Sequence, residues 1–185
     1  FPTYGMTETS SQIATASPND IFRPLNSVGK PLSKGSIKIS KNSEIQVSGE
    51  MVAKYYDEKV PKKWLQTGDY GYLDKDNYLF VKGRIDELII SGGENINPLE
   101  IEEFISKNKK IKECIVLGKT DEYWGEKVIA AIYSDDDITL EEINSYLVDL
   151  DKFKYPKDIV QFKNPLPKLH NGKLDRKKIK KIINE

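Results

Sequence analysis

Cysteine and histidine are nearly absent from this 185-residue chain, with Cys114 and His170 the sole examples. One cysteine excludes a disulfide within the chain, and one cysteine plus one histidine cannot supply the four ligands of a structural zinc site. With no Gly-x-Ser-x-Gly nucleophile turn either, hydrolase and metalloenzyme chemistry lack their residues. Arginine occurs only at Arg23, Arg84 and Arg176, so lysine carries almost all the positive charge. There is also no excess of either sign, 29 basic residues standing against 29 acidic. That balance argues against nucleic acid as the main partner, because phosphate-tracking proteins carry a basic surplus. No apolar run approaches the roughly 20 residues of a membrane span, and no charged-then-apolar leader follows Phe1. We expect a fragment of a longer, cytoplasmic polypeptide, with Cys114 a buried and inert thiol in its apolar run Cys114-Ile115-Val116-Leu117.

What is present is enough to pack: 38% of the residues are hydrophobic. The first 85 or so read as β-rich. Ile37-Lys38-Ile39 and Glu44-Ile45-Gln46-Val47 alternate at period two, and 70–73 with 78–81 read as a hairpin around Asp74-Lys75-Asp76-Asn77. Such short strands need further partners. After Arg84-Ile85-Asp86 the character changes. Asn97-Pro98-Leu99-Glu100 is a helix start, with Asn97 as N-cap and Glu100 closing a capping box; Ile101, Phe104 and Ile105 share one face. Strands are expected at 114–117 and 128–133. A second capped helix begins at Thr139, with Leu140, Ile143, Leu147 and Leu150 as its stripe. A short strand near 159–162 and a last helix from about Leu174 complete a compact α+β module.

Four segments carry chemical content. Tyr4-Gly5-Met6-Thr7-Glu8-Thr9 puts an aromatic beside a glycine, then hydroxyl, carboxylate and hydroxyl; these suit a base, a phosphate and magnesium, or simply a strand end and a helix cap. In Thr67-Gly68-Asp69 a carboxylate held by a tight turn suits the two hydroxyls of a ribose, or is an ordinary turn. Arg84-Ile85-Asp86 is followed by Ser91-Gly92-Gly93-Glu94, glycines that let a backbone turn sharply or approach a ligand; a plain linker plus a turn explains both pieces. Pro165-Leu166-Pro167-Lys168-Leu169-His170-Asn171-Gly172-Lys173 offers Lys173 at a loop tip, as a mobile charge for a phosphate or as a solvated residue.

In this order, and with Pro98-Leu99-Glu100-Ile101-Glu102 after the glycines, the segments resemble the adenylate-forming superfamily of acyl-CoA synthetases, luciferases and peptide-synthetase adenylation domains. The likeness runs over residues 4–176. It implies that residues 1–85 are the β-rich, distorted barrel-like end of a large AMP-binding domain. Residues 86–185 would be a mobile C-terminal α+β domain turning about a hinge at Asp86. It also implies roles. Tyr4 lines the adenine pocket, Gly5 is a cofactor-binding residue, Thr7 touches the α-phosphate, Glu8 binds magnesium, Asp69 holds the ribose and Arg84 lies close to the nucleotide. Lys173 stabilises adenylation, and Gly92, Gly93 and Glu94 swing in for transfer to coenzyme A. Tyr-Gly-Met-Thr-Glu-Thr-Ser-Ser-Gln and Ile-Ile-Ser-Gly-Gly-Glu-Asn-Ile look most like 2-succinylbenzoate–CoA ligases of menaquinone biosynthesis, which would put Ser10, Ser11 and Gln12 near the acyl pocket. Such enzymes take ATP, a small-molecule carboxylate and coenzyme A.

The family's Ser/Thr/Gly-rich loop ending in Pro-Lys-Gly is missing. Gly118-Lys119-Thr120 imitates the end of a Walker loop, but the earlier glycine it requires is Glu113. The chain alone is therefore expected to be inactive and to rely on a missing N-terminal part of the same polypeptide. Within the class, another acyl-CoA synthetase or a carrier-loading adenylation domain fits the same motifs. Outside it, Lys177, Lys178, Lys180 and Lys181 suit a non-catalytic module binding RNA or a membrane surface. Ile179, Ile182 and Ile183 instead give that helix an apolar side, and no aromatics interleave the basic run.

Overall fold

The computed structural model describes residues 1–53 and 63–185. The chain forms two compact units, Phe1–Asp86 and Glu87–Glu185.

In the first unit, β1 (Thr3–Gly5), β2 (Gln12–Thr15) and β3 (Lys30–Pro31) make an antiparallel three-stranded sheet. A four-stranded meander follows: β4 (Ile37–Ile39), β5 (Glu44–Val47), β6 (Leu65–Leu73) and β7 (Leu79–Arg84). The inward positions of the alternating segments, Ile13, Ile37, Ile45, Val47 and Leu79, join Tyr4 in one core. The expected barrel-like strands are thus two open sheets, and among the described residues neither closes, since β4 and β7 do not pair with each other.

The 70–73 and 78–81 hairpin is present but longer on both sides. β6 reaches back to Leu65 and β7 runs on to Arg84. Thr67-Gly68-Asp69 accordingly lies inside β6 rather than in a turn at its start. Gly68 has φ +73°, a left-handed kink within the strand, and the register shifts twice nearby. A glycine at positive φ is the usual device for such a bulge.

The second unit is a sheet with helices on both faces. Its elements are β8 (Ile89–Ser91), β9 (Glu94–Ile96), α1 (Pro98–Ile105), β10 (Ile111–Asp121), β11 (Gly125–Ser134), α2 (Leu140–Ser145), β12 (Asp158–Phe162) and α3 (Arg176–Asn184). Strand β11 is central. It pairs antiparallel with β10 along its length, while its other edge is shared by β12, in parallel, and by β8 through Gly125 and Ser91. Its residues Val128, Ile129, Ala130, Ala131 and Ile132 are all buried, which is why this stretch is continuously apolar instead of alternating. One face packs Val116, Val128, Ala130 and Ile132 against Ile101, Ile105, Ile143 and Leu147. The other packs Ile115, Ile129 and Ala131 against Leu166, Ile179 and Ile183.

Asn97 caps α1 by accepting from the Leu99 amide at 3.0 Å, and Thr139 caps α2 by accepting from Glu142 at 3.1 Å. Helix α2 stops at Ser145, so the expected stripe is not wholly helical: Leu147 is fully buried from the turns that follow. Ile182 departs from the expected apolar side of α3, being 41% exposed. Asn97 and Thr139 each relieve a helix amide that would otherwise lack a partner, a contribution of about 1 kcal/mol apiece. Among the described residues no helix is long and apolar enough to cross a membrane.

Candidate functional site

Tyr4, in β1, is buried, and its phenol donates to Asp69 Oδ2 at 2.7 Å, a contact across 65 positions of sequence. Burial pushes the Tyr4 phenol far above the ordinary tyrosine range, and the Asp69 carboxylate adds to that. Tyr4 therefore stays a donor, and Asp69 is held from one side. From the other, Arg84 Nη1 lies 3.5 Å from Asp69 Oδ1 and donates to the Thr67 carbonyl at 2.9 Å. Behind them Thr67 is buried, its hydroxyl donating to Ile45 O at 2.7 Å and accepting from the Asp69 amide at 3.1 Å. The kink at Gly68 is held by its own amide donating to Glu44 Oε1 at 3.1 Å. A Cβ there would sit 2.9 Å from the Arg84 guanidinium. The kink thus seats Arg84 against the strand that carries Asp69.

Gly5 has a separate cause. The chain returns through Ser11 so closely that a Cβ on Gly5 would fall 2.3 Å from the Ser11 carbonyl oxygen. Between them a single 3₁₀ turn, Thr7–Thr9, is tied down by the buried Thr9 hydroxyl, which accepts from the Met6 amide at 3.2 Å. Ser10 at φ 59° ends the turn. Thr7 is left exposed and Glu8 half-buried. Among the described residues no group of three or more His, Cys, Asp or Glu gathers to hold a metal. A lone carboxylate such as Glu8 suits magnesium that a nucleotide brings, because that ion keeps most of its ligands from phosphate and water.

Asp86 accepts from Arg84 Nε at 3.1 Å, both side chains being largely exposed, so this pair contributes little stability. The sequence brings Tyr4, Asp69, Arg84 and Asp86 into one hydrogen-bonded series in the first unit; Lys173 and the glycine pair belong to the second.

Gly92 and Gly93 are the two central residues of a β-hairpin, β8–β9, with φ +58° and +86°. Two successive left-handed residues between paired strands make a tight two-residue turn. The plain reading of the glycine pair as a turn holds, and the structure adds the two short strands that it joins. The Gly92 amide donates to Trp124 O at 2.9 Å, and the Trp124 indole covers Gly92, since a Cβ there would lie 3.2 Å from the ring. Trp124 and Glu44 were not among the sequence candidates. Each acts by touching a glycine backbone, a signal that residue type alone does not carry.

Lys173 is exposed, on a loop closed by Leu169 N to Lys173 O at 2.8 Å and Asp175 N to Pro167 O at 2.8 Å. Asn171 Oδ1 accepts from the Lys173 amide at 3.1 Å, and Gly172 at φ +82° completes the turn. His170 is exposed on the same loop. Gly118-Lys119-Thr120 lies within β10, so it forms no phosphate loop. Cys114 packs beside the core, and burial pushes its thiol well above the usual range.

Residues 100–173 match the AMP-binding enzyme C-terminal domain. The 2-succinylbenzoate–CoA ligase of Oceanobacillus iheyensis is 44% identical over 95% of the chain and 40% of its own length. That of Listeria monocytogenes is 40% identical over 96% of the chain and 39% of its own length. Among solved structures, o-succinylbenzoate CoA synthetase (MenE) from Bacillus subtilis in complex with the acyl-adenylate intermediate OSB-AMP superimposes with a TM-score of 0.85, at 36% identity, over 96% of the chain and 40% of that one. The same enzyme in complex with ATP and magnesium ion gives 0.84 at 36% identity, over 97% and 41%. The chain thus spans about 40% of the length of the curated relatives it matches. Residues 100–173 thus carry the AMP-binding enzyme C-terminal domain, and the chain, over nearly all its length and in its α+β fold, is similar to adenylate-forming 2-succinylbenzoate–CoA ligases.

Proposed function

We propose that this chain is the portion of a 2-succinylbenzoate–CoA ligase that completes the nucleotide site and supplies the residues exchanged between two half-reactions. The observation that carries the reading is the Tyr4–Asp69 hydrogen bond with Arg84 beside it, in a chain that aligns with an enzyme solved with its acyl-adenylate. The activity belongs to the complete polypeptide, in the cytoplasm, and the chain by itself is inactive.

In the first half-reaction the substrate carboxylate oxygen attacks the α-phosphorus of ATP, and pyrophosphate leaves with the bonding pair of the bridging oxygen. Tyr4 lines the adenine and, with Arg84, orients Asp69, whose carboxylate accepts from the ribose hydroxyls. Thr7 donates to the α-phosphate. Magnesium, held with the help of Glu8, would neutralise phosphate charge. Lys173 brings an ammonium to the oxygens on which charge grows, the group whose benefit is largest in the transition state. In the second half-reaction the coenzyme A thiolate attacks the acyl carbonyl and AMP leaves. Turning about Asp86 withdraws Lys173 and presents the Gly92–Gly93 hairpin, so that one module serves both steps.

Pyrophosphate release by the complete polypeptide with 2-succinylbenzoate, wild type against Lys173→Ala, tests this. We expect substrate-dependent release that falls about 100-fold or more in the variant, the effect of losing one transition-state contact of roughly 3 kcal/mol. Transfer to coenzyme A from preformed acyl-adenylate should survive. Release only with a different carboxylate would remove 2-succinylbenzoate from the reading. An unchanged rate in Lys173→Ala would remove Lys173.

A further inference from the structure

Arg176 stands three positions beyond Lys173, at the first residue of α3, and it is not a surface charge. Its side chain is 17% exposed, and its guanidinium addresses three separate elements of the second unit. Nη1 donates to the Val116 carbonyl of β10 at 3.0 Å, and Nη2 pairs with Glu102 of α1. Nε lies 3.4 Å from Glu87 Oε2. Glu102 is just as enclosed, and its Oε1 also accepts from the Val116 amide at 2.7 Å. A planar fork with five donors can meet acceptors on three sides at once; an ammonium cannot.

The stretch between Lys173 and Arg176 has little slack. Lys168 and Leu174 form an antiparallel bridge, Gly172 N donates to Leu169 O at 2.9 Å, and Asp175 caps α3 by accepting from Lys178 N at 3.0 Å. At its other end the loop is fixed by Glu113, which accepts from the Leu166 amide at 2.7 Å and pairs with Lys168. Lys173, Leu169, Arg176, Glu102 and Glu87 line one pocket of about 730 Å³. Glu87 is the residue directly after Asp86.

We propose that the Glu87–Arg176 pair is a positioning device for adenylation: it fastens the base of the Lys173 loop to the first residue beyond the hinge, so that turning at Asp86 carries Lys173 to a fixed place. The inference rests on the assignment of Lys173 and Asp86 made above. Arg176 is a positioning residue, since it acts only through Lys173. Glu87 is half-buried at 34% exposure, so the pair itself adds little to stability. Its use as a loop anchor comes from Arg176, whose Nη1 and Nη2 are already held by Val116 and Glu102, leaving Nε turned to Glu87.

The test is made in the complete ligase polypeptide with Glu87→Gln, Arg176→Lys and Lys173→Ala, measuring both half-reactions and the melting temperature. Glu87→Gln is isosteric and leaves the Arg176–Glu102–Val116 contacts in place, so the fold is kept. We expect it to lower kcat for adenylation by about 10- to 100-fold, the range that misplacing a catalytic group by up to about 1 Å produces. KM for ATP should hold, and transfer from preformed acyl-adenylate should stay within about twofold, a split that a simple loss of fold would not give. Arg176→Lys should lose adenylation likewise, and Glu87→Asp, which keeps the charge, should recover part of it. Both half-reactions falling together, or neither falling in Glu87→Gln while Lys173→Ala abolishes adenylation, would overturn the inference alone. Adenylation intact in Lys173→Ala would overturn the reading beneath it as well.

Discussion

The phenol oxygen of Tyr4 and Oδ2 of Asp69 are 2.7 Å apart, joining the first and second motifs of the chain by one hydrogen bond. The pairing sets both partners. Asp69 keeps its second oxygen toward Arg84, and Tyr4 has its ring edge fixed while it closes the core of the first unit.

Tyr4→Phe keeps the ring and removes the donor. Hydrogen bonds to charged acceptors are worth about 1.5–3 kcal/mol, so urea unfolding of the chain should show a loss in that range. In the complete polypeptide, AMP affinity measured by calorimetry should weaken on the order of 10-fold, the equivalent of about 1.4 kcal/mol. Unchanged AMP binding would mean that Asp69 needs no help from Tyr4.

Tyr78 gives a prediction in pH. Its phenol bonds the Asp20 carboxylate at 2.7 and 2.8 Å, and that bond, with burial second, pushes it up to about 12. The folded value lies above the unfolded one of about 10, so the folded state holds this proton more tightly. The contribution is whole below pH 10 and is lost as pH rises from there through 12. Absorbance at 295 nm should show a late-ionising tyrosine that Tyr78→Phe removes, and the wild type should lose stability over that window more steeply than the variant.

At the β8–β9 turn the two glycines should differ. A side chain in the left-handed region costs about 1–2 kcal/mol at either position. At Gly92 a Cβ also lies 3.2 Å from the Trp124 ring, whereas at Gly93 nothing stands within 4 Å. Gly92→Ala should therefore destabilise more than Gly93→Ala in urea unfolding and should shift indole fluorescence, which Gly93→Ala should leave alone. Equal costs would mean that the indole yields freely.

Much of this was legible from residues alone because the local signals agree. Ile37-Lys38-Ile39 and Glu44-Ile45-Gln46-Val47 alternate and became β4 and β5 at those bounds. Type and spacing mark Asn97 and Thr139 as caps, and both accept a helix amide. The errors have a common physical origin. Thr67-Gly68-Asp69 reads as a turn because glycine beside aspartate favours one, yet pairing on both sides of β6 absorbs the kink as a bulge. The turn at Gly92-Gly93 is legible, but the strands it joins are not, because β8 and β9 are three residues each, too short for alternation to register. Arg176 could be flagged only for its rarity. That it faces inward depends on acceptors contributed by α1, β10 and the residue after Asp86, which no local pattern announces.

Asp86 and Glu87 are neighbours in one 3₁₀ turn, yet their carboxylates look in opposite directions along the chain, Asp86 back to Arg84 and Glu87 forward to Arg176. The electrostatic allegiance of the polypeptide changes across a single peptide bond. That bond is planar, so rotation falls on the φ and ψ angles flanking it, and turning at the hinge proposed for Asp86 would leave both of these ion pairs whole. A residue inserted between them would lengthen the proposed pivot into a tether, and the two carboxylates would then no longer report one another's orientation.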